Sequence, residues 1–371
     1  MMKLILMALI TKVFTFINYI APKFERKVSF LGYPDFDDTL RGMLPHIEKE
    51  LVVLAHNELI IIPDWVPQNV TYCRKKSLTG IYHLLTSKTI YFTHGVSIYF
   101  DPIKENRQKV INLWHGMPLK NIGLLDTAQK ISRSHYSIAS SNFFKGVIAK
   151  AFGMKSESVI VCGLPRNEIL LSQSANSTII SIQAEYDKVF VWLPTYRKST
   201  EGDVRVDGKE LPLYGFDEFD ISSLNEILKS INAALYIKPH PMSALADAEL
   251  VCYSNVFIIN EEWLGKKSIT LYELLSISDE LWTDFSSVYI DYLVTGKAIK
   301  FVINDLNEYE SSRGFTFDIV SHGFPGELIL TQEALFTSII SPANDLGLVD
   351  LEHYHSIKRF DFELLESCIE G

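Results

Sequence analysis

The sequence predicts an α/β protein made of two strand-and-helix halves, each built on a parallel sheet. Three observations carry this. Short β-rich runs alternate with helix-length segments from Val28 to Ile303, the alternation that yields parallel sheets. Four apolar runs end in polar residues and a chain breaker, the form of a strand whose carboxyl end opens on a ligand crevice. With 371 residues and 47% hydrophobic content, the chain buries two cores more comfortably than one.

The N-terminus stands apart. Residues 1–30 hold Lys3, Lys12, Lys23, Arg26 and Lys27 against Glu25 alone, while the rest of the chain is acidic. Leu4 to Ile10 is an unbroken apolar run; beyond it Thr11, Thr15 and Asn18 share one helical face with Lys12 beside them, leaving Val13, Phe14, Phe16, Ile17 and Ile20 opposite. Residues 1–24 therefore read as an amphipathic helix. Lys12 makes it a poor membrane span, and Tyr19-Ile20-Ala21-Pro22 is a poor signal-peptidase site, so secretion is not expected. Two readings stay open, an anchor on anionic lipids of the cytoplasmic leaflet or a helix packed on the protein's own core.

In the first half, residues 25–175, strands are expected at Val28 to Gly32, Leu51 to Leu54, Thr89 to Phe92, Val110 to Leu113, Ser137 to Ser140 and Val159 to Cys162. Segment 166–186, rich in Ser, Asn and Gln, reads as the interdomain crossing. The second half, residues 176–371, continues with Val189 to Leu193, Leu235 to Ile237, Val256 to Ile259, Glu280 to Trp282 and Ile299 to Ile303. Segment 198–215 is a polar insertion, either a lid or an idle surface loop. Two facing Rossmann-like domains with a central cleft, the GT-B architecture, is the expected fold.

A formal charge of −10 argues against nucleic acid as a partner. Cys73, Cys162, Cys252 and Cys368 are scattered, with no CxxC and no spacing suited to zinc, so neither a disulfide framework nor a structural metal is expected, and a reducing cytoplasm is the simplest home. No cofactor is expected either.

The most informative stretch runs from Asn112 to Gly123. Val110, Ile111 and Leu113 form a buried strand, Gly116 and Pro118 break it, and His115 is delivered at the strand's end, where a catalytic base belongs; Leu119 to Gly123 can open a helix. A lone His there more often fills a polar gap. Three further ends have the same form: Val189 to Leu193 runs into Pro194-Thr195-Tyr196-Arg197, Leu235 to Ile237 into Lys238-Pro239-His240-Pro241, and Glu280 to Trp282 into Thr283-Asp284-Phe285-Ser286-Ser287. Four such ends carrying His, Lys, Arg, Asp and Ser imply one shared crevice.

Together these segments resemble the CDP-glycerol glycerophosphotransferases, the teichoic-acid primase and polymerase family. Its hallmark WHG-x-PLK-x-x-G is matched by Trp114 to Gly123. Gly163-Leu164-Pro165-Arg166-Asn167, Leu193 to Arg197, Lys238 to Pro241, Thr283 to Ser287, Tyr309 with Arg313-Gly314-Phe315, and Phe324-Pro325-Gly326-Glu327 look like further signatures in the family's order. Met117, Tyr196 and Phe285 stand where Thr, Trp and Tyr are common, which bears on acceptor and donor identity.

The resemblance implies transfer of glycerol phosphate, or a similar polyol phosphate such as ribitol phosphate, from a CDP-polyol to a hydroxyl of a lipid-linked saccharide or polyol-phosphate chain. CMP would be released, in synthesis of a teichoic-acid-like or capsular polymer at the inner face of the bacterial cell membrane. Such chemistry needs a base for the hydroxyl and fixed positive charge for the phosphates. His115 is the expected base, with Trp114, Gly116 and Lys120 on the acceptor side. His240, held extended between two prolines, is the second catalytic candidate. Arg197, Lys238, Arg313 and the Ser286-Ser287 pair are candidates for donor phosphate, though salt bridges and ordinary helix capping compete. Asp284 would hold a ribose hydroxyl, orient His240 or cap its own helix. Two rival readings are a GT-B glycosyltransferase using a nucleotide sugar and a non-catalytic protein that binds lipid-linked glycan.

Overall fold

The computed structural model describes residues 2–370 except 58–61, 98–99, 104–105, 127–130, 196–215, 217–218, 240–252, 304–314, 318–322 and 342–349. The expected position of segment 198–215, and those of Tyr196, Arg197, His240, Tyr309 and Arg313, lie outside the described residues.

The chain forms two compact units. The first comprises residues 1–117, 122–169 and 351–371; the second comprises 118–121 and 170–350. Its first sheet contains β1 (Phe24–Leu31), β2 (Glu50–Ala55), β3 (Thr71–Arg74), β4 (Ser87–Phe92), β5 (Lys109–Asn112), β6 (Tyr136–Ala139) and β7 (Val159–Val161). They lie in the order β3-β2-β1-β4-β5-β6-β7, every pairing parallel. The second unit's sheet contains β8 (Lys188–Leu193), β9 (Ala233–Ile237), β10 (Val256–Ile258), β11 (Glu280–Thr283), β12 (Ala298–Val302) and β13 (Glu327–Ile329), in the order β10-β9-β8-β11-β12-β13 and again all parallel. Each is a Rossmann-like sheet wound both ways from its first strand, so each has a switch point, between β1 and β4 and between β8 and β11. The fold is GT-B in class.

The central strands are legible as continuous apolar runs because both of their faces are covered. Val52, Val53, Leu54, Ile90, Phe92, Val110 and Ile111 of the first sheet, and Phe190 to Trp192 with Leu235 and Trp282 of the second, are buried. The edge strand β3, Thr71-Tyr72-Cys73-Arg74, is largely exposed. Neither it nor the three-residue β13 was expected from the sequence.

Two expectations are corrected. The C-terminal segment, assigned to the second half, belongs to the first unit. Ser140 and Ser141 donate through Oγ to the carbonyls of Tyr354 (2.6 Å) and His353 (2.7 Å), the Asp361 amide donates to the Cys162 carbonyl (2.8 Å), and Tyr91 donates to Glu366 (3.0 Å). The stretch Leu119 to Gly123 opens no helix beyond a single 3-10 turn at Gly123–Leu125. Its backbone is engaged elsewhere: Lys120 bridges Phe315 in antiparallel fashion, and the Thr316 amide donates to the Leu119 carbonyl (2.9 Å).

The N-terminal helix α1 (Met2–Ile20) turns its polar stripe inward. Asn18, fully buried, donates to Gln108 (2.9 Å), and Gln108 in turn donates to the carbonyls of Leu84 and Ser87. Lys23 ties the helix end by donating to Asn18 and to the Leu85 carbonyl. Phe14, one of the residues opposite the polar stripe, packs against Phe100 and the core around Leu31 and Val52. Outward instead lie Leu6, Leu9, Ile10, Val13, Phe16, Ile17, Tyr19 and Ile20, each at least 42% exposed. Among the described residues no helix is long and apolar enough to cross a membrane.

Candidate active site

His115 is aimed by an unusual turn at the end of β5. Trp114 has φ 53° and Gly116 has φ 113°, so the histidine is flanked by two residues in the left-handed region, one of them a conformation glycine adopts most readily. The side chain of buried Asn112 fixes the turn by accepting the Trp114 amide (2.9 Å). Around the turn Leu113, Gly116 and Met117 are buried, so the loop is anchored rather than hung from its strand.

The ring of His115 is held on three sides. Its Nδ1 faces the Thr93 carbonyl at 3.3 Å, an acceptor only, so Nδ1 carries the proton and Nε2 keeps its lone pair. One face stacks on His94 with centroids 4.0 Å apart and planes 9° apart; the Trp114 ring lies 4.0 Å away. Burial first, then the neighbouring His94 and Arg166, push its pKa well below the ordinary histidine value. No described residue hydrogen-bonds Nε2. A neutral imidazole with a free Nε2 is what proton abstraction requires.

Arg166 locks this loop. It donates through Nη1 to the His115 carbonyl and through Nη2 to Thr39 Oγ1, both at 3.0 Å. Thr39 lies on α2 (Asp38–Met43), which is capped by Asp37 accepting the Leu40 amide at 2.8 Å. At Gly42 of the same helix a Cβ would stand 2.0 Å from the Pro165 carbonyl, so only glycine lets α2 approach the loop that carries Arg166. Asp37 is 9% exposed, and burial raises its carboxyl to about 6 against the pull of Arg166.

Sequence reasoning missed His94, Thr93, Asp35, Asp37, His56 and the role of Arg166. The signal was present: Thr89 to Phe92 runs into Thr93-His94-Gly95, and Leu51 to Ala55 into His56, the same apolar-to-polar form that singled out His115. Of the acceptor-side candidates, Trp114, His115 and Gly116 come together in the first unit. Lys120 falls in the second unit, on the strand-like bridge to Phe315.

In the second unit, Lys238, Thr195 and Asp284 follow β9, β8 and β11, which are neighbours, so they share the sheet's carboxyl edge. Asp284 is 5% exposed and spans the switch point. Its two oxygens accept the Thr195 amide (3.0 Å each) and one accepts the Thr195 hydroxyl (2.9 Å). It thus joins the ends of β8 and β11. Lys238 is ion-paired with Glu261 at 2.8 Å, so its charge is already met within the fold. Ser287 occupies the N-cap of helix Val288–Tyr292 without a capping bond from its side chain, and Ser286 Oγ receives only a long 3.5 Å contact from the Val288 amide. Ordinary capping therefore does not account for the serine pair. Phe285 is fully buried beside Phe315, where a tyrosine hydroxyl would have to find a partner.

Among the described residues no group of three or more His, Cys, Asp or Glu is placed to hold a metal. What the described sites offer is a neutral base in the first unit and hydroxyls with a fixed carboxylate at the switch point of the second.

Comparison with known proteins shows the family and the fold. The chain is 24% identical over 353 residues to the teichoic acid glycerol-phosphate primase of Bacillus subtilis strain 168, covering 89% of this chain and 86% of the primase. It is 28% identical over 303 residues to the teichoic acid poly(ribitol-phosphate) polymerase of Bacillus spizizenii W23, covering 76% of this chain but only 46% of that larger protein. The solved structure of the wall teichoic acid polymerase TagF shares the fold, with a TM-score of 0.68 at 18% identity over 100% of this chain and 90% of that one. The family profile described as CDP-Glycerol:Poly(glycerophosphate) glycerophosphotransferase matches residues 38–350. The chain belongs to the CDP-glycerol:poly(glycerophosphate) glycerophosphotransferase family.

Proposed function

We propose that the protein transfers glycerol phosphate, or a closely similar polyol phosphate, from a CDP-polyol to a hydroxyl of a lipid-linked saccharide or polyol-phosphate chain. The observation that carries this reading is His115 in a family-matched turn, neutral, with Nδ1 fixed on the Thr93 carbonyl and Nε2 free to take a proton. In the proposed reaction, Nε2 removes the proton of the acceptor hydroxyl and that oxygen attacks the β-phosphorus of the donor. The bond to the bridging oxygen breaks, CMP leaves with it, and a phosphodiester to the acceptor forms.

The first unit is proposed to receive the acceptor and the second the donor. Ser286 and Ser287 offer hydroxyls to donor phosphate, and Asp284 keeps the β8 and β11 ends in register. His240, Arg197 and Arg313, outside the described residues, are proposed to supply positive charge for the transferring group.

Work at the inner face of the cell membrane is supported by α1. Its eight exposed apolar side chains, with Lys12 beside them, form a face suited to the boundary of an anionic bilayer, while its polar stripe is occupied by the protein. The test is CMP release with CDP-glycerol, CDP-ribitol and UDP-sugars against lipid-linked acceptors. Release from a CDP-polyol supports the reading; release of UDP from a UDP-sugar alone would replace it with a glycosyltransferase. Deleting residues 1–20 should free the protein from anionic vesicles, and retained binding would remove α1 from the membrane contact.

A further inference from the structure

Five neighbouring strands of the first sheet end side by side in residues suited to a polar ligand. β3 is followed by Lys75, β2 by His56, β1 by Tyr33 and Asp35, β4 by His94 and β5 by His115. Their rings make a continuous row. His115 stacks on His94 at 4.0 Å, His94 meets Tyr33 edge-on at 5.6 Å, and Tyr33 meets His56 edge-on at 6.1 Å. Beyond His56, its Nε2 lies 3.2 Å from Lys75 Nζ.

The row is built rather than incidental. Asp35, 5% exposed, accepts the His56 amide (2.6 Å) and its ring Nδ1 (3.2 Å) on one oxygen and the Asn57 amide (3.1 Å) on the other. That carboxylate fixes the His56 tautomer, so Nε2 accepts from the Lys75 ammonium. Burial and the neighbouring Lys76 lower Lys75 only to about 8, so it remains largely charged at neutral pH. Tyr33, by contrast, is 58% exposed, His94 is an exposed residue as well, and the two flank the switch point between β1 and β4, where doubly wound sheets bind ligands. Packing does not need an exposed tyrosine between two histidines.

We infer that this row seats the acceptor chain beyond its reacting hydroxyl: a polyol-phosphate segment whose C–H faces lie along the rings and whose phosphodiester meets the Lys75 ammonium. Strands stand about 4.8 Å apart, so Lys75, four strands from His115, lies about 19 Å along the sheet edge, and His56 about 14 Å. A ligand satisfying both ends must therefore be an extended chain carrying negative charge at that distance. A single glycerol phosphate reaches only the His115 end. This inference rests on the transferase reading above, which supplies the hydroxyl at His115.

The test is calorimetry of the full chain with glycerol-phosphate monomer, trimer and hexamer at low salt. The hexamer should bind about tenfold or more tightly than the monomer, the factor expected for one charge-assisted contact. Lys75→Ala and Tyr33→Ala should each remove that advantage, Tyr33→Phe should keep it, and added salt should weaken it. Circular dichroism checks that the variants fold. Equal affinity for monomer and hexamer, absence of binding at every length, or an advantage that survives both alanine substitutions would overturn the inference. Hexamer binding without CMP release from CDP-glycerol would keep the row and remove the transferase reading; CMP release without length dependence would do the reverse.

Discussion

The buried carboxyl of Asp37 makes stability depend on pH in an unusual direction. Burial raises its pKa from 3.8 to about 6, with Asp38 adding repulsion, while Arg166, the Leu40 amide and Thr93 pull it back. At about 1.4 kcal/mol per pH unit, ionising Asp37 inside the fold costs roughly 3 kcal/mol more than in the unfolded chain. Because the folded state holds the proton more tightly, Asp37 lowers stability as pH rises from about 4 to about 6, and its full cost is present above that. Asp37→Asn removes the charge while keeping a side-chain oxygen able to cap α2, and Asn caps about as well as Asp. Urea unfolding from pH 4 to pH 8 should therefore show the variant more stable than the natural protein by up to roughly 3 kcal/mol at pH 7.5, with the difference vanishing toward pH 4. A variant less stable at pH 7.5, or a difference that does not change across this range, would refute the reasoning.

Arg166→Ala removes two guanidinium hydrogen bonds, to the His115 carbonyl and to Thr39, at about 1.5–3 kcal/mol each. It should lower both the denaturation midpoint and kcat, and unchanged kcat in a folded variant would show that the loop needs no such lock. Because burial, His94 and Arg166 depress the His115 pKa below 6.5, the acid limb of the kcat profile should fall below that pH. An acid limb at pH 7 or above would contradict a neutral, buried base.

Strands buried on both faces announce themselves: Val52-Val53-Leu54 or Val189 to Leu193 read as continuous apolar runs, as strands of a covered parallel sheet do. The edge strand β3 carries Thr71, Tyr72 and Arg74 in the open, and its pairing with β2 leaves no apolar trace. Nor does the sequence say that the last twenty residues pack on the first unit, because bonds such as Ser140 to the Tyr354 carbonyl join positions 214 residues apart. His115 was legible because its strand, breaker and neighbours stand together in one segment. His94 and His56 carry the same apolar-to-polar form without such neighbours, and only the sheet order, which places β1 between β2 and β4, brings them and Tyr33 into one row. Leu119 to Gly123 misled for a similar reason: its turn chemistry suits a helix start, but Lys120 is drawn into pairing with Phe315 from nearly two hundred residues away.

The most direct test of the account is the turnover of His115→Ala set beside its donor affinity. CMP release from CDP-glycerol in the presence of acceptor should fall about 10²–10⁴-fold, the loss expected when a general base is removed, while calorimetry finds CDP-glycerol bound as tightly as by the natural protein. Near-normal CMP release would take His115 out of the chemistry, and a parallel loss of CDP-glycerol affinity would move it from the acceptor to the donor.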